Sequence, residues 1–256
     1  MVALITGASS GIGRDLARQL AKKNYDLIIV ARSEDKLNEL KNEISHSYNV
    51  MVDVVVADLS DEKKCIKLHN SIFKNYGTID ILINNAGFGD CGNFTDTHLD
   101  KELLMIKTNI TAYHILTKLF LKDMVKEDRG YILNVASIAG FMPGPLMATY
   151  YSTKAYVVRL TQSIRTELGK QKSKVKVAVL CPGPVDTNFN NVADVKFSIK
   201  GQSSEYVAKY TVKKINKKRT IIFSSFWVFL YRHICKLIPD QLASFINYNV
   251  QNRKIQ

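Results

Sequence analysis

The chain has 256 residues, 46% apolar and 23% charged, with 13 glycines and 5 prolines, so it can build one sizeable core and is neither a disordered nor a low-complexity chain. Four widely spaced cysteines (Cys65, Cys91, Cys181, Cys235) without a CxxC pair, and five histidines without ligand spacing, argue against a disulfide framework and a metal site. The net charge of +13 is uneven, residues 170–256 holding 16 basic and 4 acidic side chains, which marks a lysine-rich solvated surface or a basic face for an anionic partner.

Residues 2–6 (VALIT) form a short apolar run ending at a glycine cluster, and 11–23 follow with helical spacing, Ile12, Leu16, Leu20 and Ala21 sharing a face. Residues 26–31 (DLIIVA) are apolar without alternation, as in a strand buried on both faces. Ser33 is expected to cap a helix over about 34–46, with Leu37, Leu40 and Ile44 on one side. A third strand is predicted over 50–57, a helix capped by Ser60, a fourth strand over 79–84 and one long helix over about 99–126. A fifth strand (131–136), a helix (about 149–168), a sixth strand (175–180), a helix near 203–215 and a strand near 219–223 complete the series. Strands alternate with helices throughout, so the expected fold is α/β: a doubly wound Rossmann-type parallel sheet of about seven strands with helices on both faces. A single domain over 1–256 is expected, with about 221–256 as an apolar and basic C-terminal extension. No targeting segment precedes Val2, and no run approaches the roughly 20 apolar residues of a spanning helix. With the free thiols, this gives a cytoplasmic expectation.

The turn after the first strand reads Thr6-Gly7-Ala8-Ser9-Ser10-Gly11-Ile12-Gly13. Gly7 permits a tight turn, Gly11 and Gly13 allow close approach of a ligand, and the amides and dipole at the helix start attract a pyrophosphate. The spacing is TGxxxGxG rather than GxGxxG. It is followed in order by Asn84-Asn85-Ala86-Gly87, Asn109, Ser137, Tyr150-Tyr151-Ser152-Thr153-Lys154 and Pro182-Gly183. On these motifs the chain resembles the short-chain dehydrogenase/reductase family in its single-domain form, over essentially the whole length to about residue 190. The resemblance implies a nicotinamide cofactor held by Gly7, Ser9, Ser10, Gly11, Ile12 and Gly13, by Asn85, Ala86 and Gly87, and by Pro182, Gly183, Val185 and Thr187. Asp58 and Leu59 match the family's adenine-contacting pair. An enzyme preferring NAD usually ends its second strand on Asp or Glu; here Ala31 is followed by Arg32, whose guanidinium can pair a 2′-phosphate. The cofactor implied is therefore NADP(H), with Ser9 and Ser33 as added hydroxyl contacts.

Tyr150 and Lys154 stand at i and i+4 and are neighbours on a helix, where an ammonium would favour the phenolate. By resemblance Tyr150 is the acid/base, Lys154 also holds the ribose hydroxyls, Ser137 holds the substrate oxygen and Asn109 supports a proton path to Lys154. The family spacing YxxxK selects Tyr150 over Tyr151, which is expected to pack or to wall the pocket. Pocket walls are expected from loops 88–94, 140–148 and 184–201. Met142, Leu146 and Met147, with Ser137 and Tyr150, suggest an apolar pocket for a lipophilic ketone or alcohol, of hydroxysteroid, bile-acid or 3-oxoacyl type within lipid metabolism. The run 221–230 is apolar on every side and is followed by Arg232, Lys236, Arg253 and Lys254. It is expected to be buried over the substrate site or between subunits, with peripheral membrane contact as the other reading.

The leading expectation is an NADPH-dependent carbonyl reductase or alcohol dehydrogenase, assembled by resemblance as a homodimer or homotetramer. A non-catalytic NADP-binding regulator on the same fold is the alternative, opposed by the intact Ser137, Tyr150 and Lys154. A nucleic-acid partner is not expected, because no basic stripe with interleaved stacking aromatics is present.

Overall fold

In a computed structural model of the chain, residues 1–189, 193, 201–215, 217, 220–235 and 237–252 are described. Strands β1 (Val2–Thr6), β2 (Asp26–Ala31), β4 (Ile81–Asn84), β5 (Tyr131–Val135) and β6 (Lys176–Cys181) are buried almost throughout. Their continuous apolar runs follow from this, since successive side chains point to opposite faces and both faces are covered. In β1, Leu4 enters one core and Ile5 the other. With β3 (Val52–Val56) and β9 (Ile221–Phe223) at the edges, seven parallel strands run in the order β3-β2-β1-β4-β5-β6-β9.

On one face, α1 (Gly11–Ala21), α2 (Glu34–Ser47) and α7 (Ser204–Val212) bring Leu16, Leu20, Leu37, Leu40 and Val207 against Ile5 and Ile29. On the other, α3 (Glu62–Tyr76), α5 (Ala112–Lys126) and α6 (Ala148–Lys170) bring Leu68, Ile72, Leu116, Phe120 and Leu168 against Leu4, Leu82 and Ile132. Each such side chain removed from water contributes about 1.5–3 kcal/mol. The strand order reverses between β1 and β4, which opens a crevice above their carboxyl ends.

Several local expectations change. The cap of α3 is Asp61, whose carboxylate accepts from the amides of Lys63 and Lys64; Ser60 instead donates to Asp58 through both its amide and its hydroxyl. Ser33 stands at the start of α2, but its hydroxyl makes no capping bond. The long helix divides into α4 (Leu99–Ile106) and α5, joined by one π-helical turn over Lys107–Thr111 with the buried Asn109 at its centre. A two-stranded parallel pair, β7 (Val185–Asp186) with β8 (Gln202–Ser203), precedes α7.

The presumed extension begins inside the sheet, because Ile221–Phe223 pairs with Val179–Cys181. Two helices then follow, α8 (Phe226–Cys235) and α9 (Asp240–Asn252), which the apolar run alone does not separate. Within the single chain Ile222 is buried, whereas α8 has no buried residue. The edge strand is only three residues long, and among the described residues nothing covers the outer side of α8. Among the described residues no helix is long and apolar enough to cross a membrane. Lys236, Arg253, Lys254 and most of the loop 184–201 (190–192 and 194–200) lie outside the described residues.

Candidate active site

The glycine turn is shaped by contacts a side chain would destroy. Gly7 (φ +66°) and Gly11 (φ +54°) lie in the left-handed region. A Cβ on Gly13 would sit 2.3 Å from the Gly7 carbonyl oxygen and 2.4 Å from the Asn85 amide nitrogen. A Cβ on Gly7 would reach Ala86 at 2.8 Å, so the turn lies directly against the end of β4. Asn85 donates from its side chain to the carbonyls of Thr6 (3.1 Å) and Gly7 (3.2 Å). Thr6 Oγ1 in turn accepts from the amides of Asn85 (2.9 Å) and Ala86 (3.1 Å). Thr6 was not among the residues singled out as candidates; its signal is its place before the first turn glycine. Ser10 precedes α1 in an extended conformation, and the first turn of α1 carries no acidic side chain. The positive end of α1 and the missing Cβ atoms at Gly7, Gly11 and Gly13 fit a pyrophosphate.

Further along the crevice, Arg32 is exposed at the end of β2, and its charge acts on Asp58. Burial raises the Asp58 carboxyl, but the Ser60 hydrogen bonds and the Arg32 charge together hold it below the usual range. Leu59 turns its side chain into the core instead, so a role at the adenine falls to its backbone. Thr187 reaches over the turn, its methyl 3.0 Å from where a Gly11 Cβ would be. Pro182 and Gly183 leave β6 beside Ser224 and Val228, and Val185 is buried in β7.

Ser137, Tyr150, Lys154 and Asn109 converge at the carboxyl ends of β4 and β5. Ser137 follows β5 and caps the short turn Ile138–Phe141, accepting from the Ala139 amide at 3.2 Å. Its hydroxyl faces the Tyr150 phenol and acts to lower the phenol's pKa. Lys154 Nζ, on a side chain only 4% exposed, donates to the Val135 carbonyl at 3.1 Å and lies 5.7 Å from the Tyr150 ring centroid. A Cβ on Gly87 would stand 3.6 Å from that nitrogen and 2.8 Å from Asn109 Oδ1, so Gly87 leaves room where the two sets of residues meet. Asn109 holds the chain at Phe88, accepting from its amide (3.1 Å) and donating to its carbonyl (2.9 Å). It also donates to Thr153 Oγ1 (3.1 Å), which donates to the Tyr150 carbonyl (2.7 Å). Thr153, overlooked in the run YYSTK, thus ties Asn109 to the Tyr150 turn.

The electrostatics differ from the expected lysine-acidified phenol. Burial pushes the Tyr150 hydroxyl up to about 12, against the lowering effect of Ser137. Burial also brings Lys154 down to about 8. In the chain alone, desolvation of each group outweighs any help the two give each other.

The apolar wall is only partly the expected one. Met147 packs with Tyr150, Tyr151, Phe189 and Cys91. The Tyr150 ring lies 5.2 Å from that of Phe189. Leu146, at φ +64°, is held in a left-handed conformation, with its carbonyl accepting from Gly92 at 2.8 Å. Met142 instead meets α8, its sulfur accepting from the Tyr231 hydroxyl at 3.6 Å. Tyr151 stacks over Gly144, and its hydroxyl accepts from Gln251 of α9. Asn247 of α9 donates to the Pro143 carbonyl at 2.8 Å. The loop 140–148 is therefore backed by α8 and α9, a contact that spans about 100 residues of sequence and leaves no local signal.

Comparison with known proteins points to one family and to the same fold. The family model described as short chain dehydrogenase matches residues 1–196. An uncharacterized oxidoreductase of Staphylococcus epidermidis is 34% identical over 193 residues, covering 75% of this chain and 81% of that protein. A short-chain dehydrogenase from Sphingobium yanoikuyae in complex with NADPH superposes with a TM-score of 0.82 at 26% identity, over 92% of this chain and 94% of its own. The bulky-bulky ketone specific alcohol dehydrogenase from Comamonas testosteroni superposes with a TM-score of 0.78 at 28% identity, over 92% of both chains.

Proposed function

This chain belongs to the short-chain dehydrogenase/reductase family, and on that premise we propose that it is an NADP(H)-dependent reductase of lipophilic ketones and dehydrogenase of the matching alcohols. The observation that carries the reading is the convergence of Ser137, Tyr150 and Lys154 at the inner end of a glycine-walled crevice.

The residues present fit a dinucleotide. Gly7, Ser9, Ser10, Gly11, Ile12 and Gly13 would hold its pyrophosphate, Arg32 with Ser33 a 2′-phosphate, and Asp58 the adenine. Asn85, Ala86, Gly87, Pro182, Gly183, Val185 and Thr187 would border its nicotinamide half, with Lys154 on the ribose hydroxyls. When bound, such a cofactor supplies or accepts the hydride. The rest of the chemistry is proton placement by the chain. Tyr150 gives its proton to the carbonyl oxygen in reduction and takes it back in oxidation. Ser137 donates a hydrogen bond to the same oxygen, where charge develops. The Lys154 ammonium, still protonated below about pH 8, lowers the proton affinity of the phenol once a ligand and its charges enter the site. Asn109 fixes the π-helical turn beside Lys154 and Phe88.

Support for NADP(H) over NAD(H) is the exposed Arg32 where a carboxylate would favour NAD. Support for a bulky apolar substrate is the wall of Met147, Tyr151 and Phe189, together with the likeness to the bulky-bulky ketone specific alcohol dehydrogenase of Comamonas testosteroni. Exposed Leu99, Leu103 and Ile106 on α4 support subunit pairing through the helices that follow β4 and β5. The test is NADPH consumption with ketosteroids, bile-acid ketones, 3-oxoacyl thioesters and small aldehydes. Turnover of the bulky ketones is expected; a chain that binds NADPH tightly and reduces none of them would be a cofactor-binding regulator instead.

A further inference from the structure

Between residues 226 and 250 the chain exposes eleven large apolar side chains, including Phe226, Trp227, Ile234, Leu237, Leu242 and Phe245; Trp227 is 74% and Leu237 86% exposed. Monomeric proteins seldom leave such surface uncovered. The two helices that carry it are differently anchored. No residue of α8 is buried. On α9, Ala243, Asn247 and Gln251 recur at i, i+4 and i+8 and face inward, and Asn247 and Gln251 hold the loop 140–148. Among the described residues nothing covers the outer sides of the two helices, which leaves them open to a partner.

Charge decides what that is. Residues 224–256 hold Arg232, Lys236, Arg253 and Lys254 against a single acidic residue, Asp240, within a C-terminal third that is already strongly basic. By its sequence the segment is net basic, so two copies of it would repel each other. An anionic lipid surface attracts it. Exposed leucine and phenylalanine among tryptophan, tyrosine and flanking cations is the composition of helices lying in a bilayer interface. At 10 and 13 residues the helices are about 15 and 20 Å long, and no described helix can cross a membrane.

We propose that α8 and α9 form an in-plane docking element for an anionic lipid bilayer, which sets the loop 140–148 at the lipid surface so that a lipophilic carbonyl compound enters the site from the membrane. The route of entry rests on the reductase reading; the docking does not. Tyr231 against Met142 and Arg232 over the Phe141 ring, 5.3 Å from its centroid, join the inner side of the docking element to the loop 140–148.

Trp227 belongs to the exposed face and is the only tryptophan in the sequence, so its fluorescence reports directly on docking. The full chain is titrated with phosphatidylcholine vesicles, with and without phosphatidylserine, some containing brominated acyl chains. Emission is expected to shift to the blue and to be quenched by the bromolipid, with affinity at least about tenfold higher when phosphatidylserine is present at low salt. The double variant Leu242→Ser, Phe245→Ser keeps Trp227 and should bind at least about tenfold more weakly, while turning over a water-soluble ketone at the wild-type rate without vesicles. An emission that stays that of a water-exposed indole at every lipid concentration overturns the proposal. So does undiminished binding by the double variant. A blue shift that grows with protein concentration in the absence of lipid, together with a dimer mass in ultracentrifugation, assigns the face to a second copy and overturns it too. Docking without turnover of any ketone would retain the lipid surface and overturn the route of entry together with the reductase reading.

Discussion

Replacing Lys154 by Met separates what this lysine does for the reaction from its effect on the fold. Its side chain is almost wholly buried, and desolvation lowers its pKa from 10.5 to about 8. The unfolded chain titrates at the ordinary value. Between about pH 8 and 10.5 the folded chain therefore binds fewer protons than the unfolded one, and stability rises with pH across that window. Below about pH 8 both states hold the proton and the whole penalty stands, about 3 kcal/mol for this gap. Met is uncharged, unbranched and of similar length. It forfeits the hydrogen bond to Val135, worth about 1 kcal/mol, so Lys154→Met is expected to be about 2 kcal/mol more stable than wild type at pH 7. The advantage should shrink above pH 8 and be gone by about pH 10.5. Urea unfolding followed by circular dichroism at pH 7 and at pH 10, variant against wild type at each pH, cancels the titration of other groups. NADPH turnover of the same variant should fall by about 10²–10⁴. A variant less stable than wild type at pH 7, or a stability gap equal at both pH values, would refute the reasoning.

Three further outcomes are expected. Tyr150→Phe should lower kcat by about 10²–10⁴, whereas Tyr151→Phe, which loses only the bond from Gln251, should keep kcat within a few-fold and lower stability by about 1 kcal/mol; loss of turnover in the second variant alone would mean the register is wrong. Arg32→Ala should reduce the ratio of kcat/KM for NADPH over NADH by about 10–100-fold, the worth of a charge-assisted phosphate bond, and a wild type that prefers NADH defeats the assignment. Gly13→Ala forces a Cβ to within 2.3 Å of the Gly7 carbonyl, so it should cost about 1–3 kcal/mol and weaken NADPH binding measured by fluorescence titration; unchanged binding would remove the turn from the cofactor site.

Much of the architecture is legible in the chain because a doubly covered parallel sheet writes itself as uninterrupted apolar runs. DLIIVA could only be a strand buried on two sides, and it pairs on both edges. The glycine spacing was equally readable, since Gly7 and Gly13 are demanded by contacts at single positions. What stayed hidden is relational. The π-helical turn at Asn109 depends on the amide reaching Phe88 and Thr153, not on any local breaker. The bracing role of Asn85 needs β1 and β4 side by side. Sequence also reads a Tyr–Lys pair as mutually assisting, while the interior adds a desolvation cost that only burial reveals. For the apolar run 221–230, hydropathy records a preference for leaving water, not which surface takes it, and in the single chain α8 stays unburied.

The extra residue in the turn Lys107–Thr111 couples two parts of the molecule that look independent. An α-helix advances about 100° per residue, so the five-residue spacing of that turn fixes the rotational phase of everything before it. Deleting one residue there would straighten the rod, swing the Leu99–Leu103–Ile106 stripe about a quarter-turn around its axis and pull Asn109 out of its socket. An insertion or deletion in this stretch would therefore move the exposed stripe and the Asn109 contacts in a single step, so that neither can change through helix length without the other.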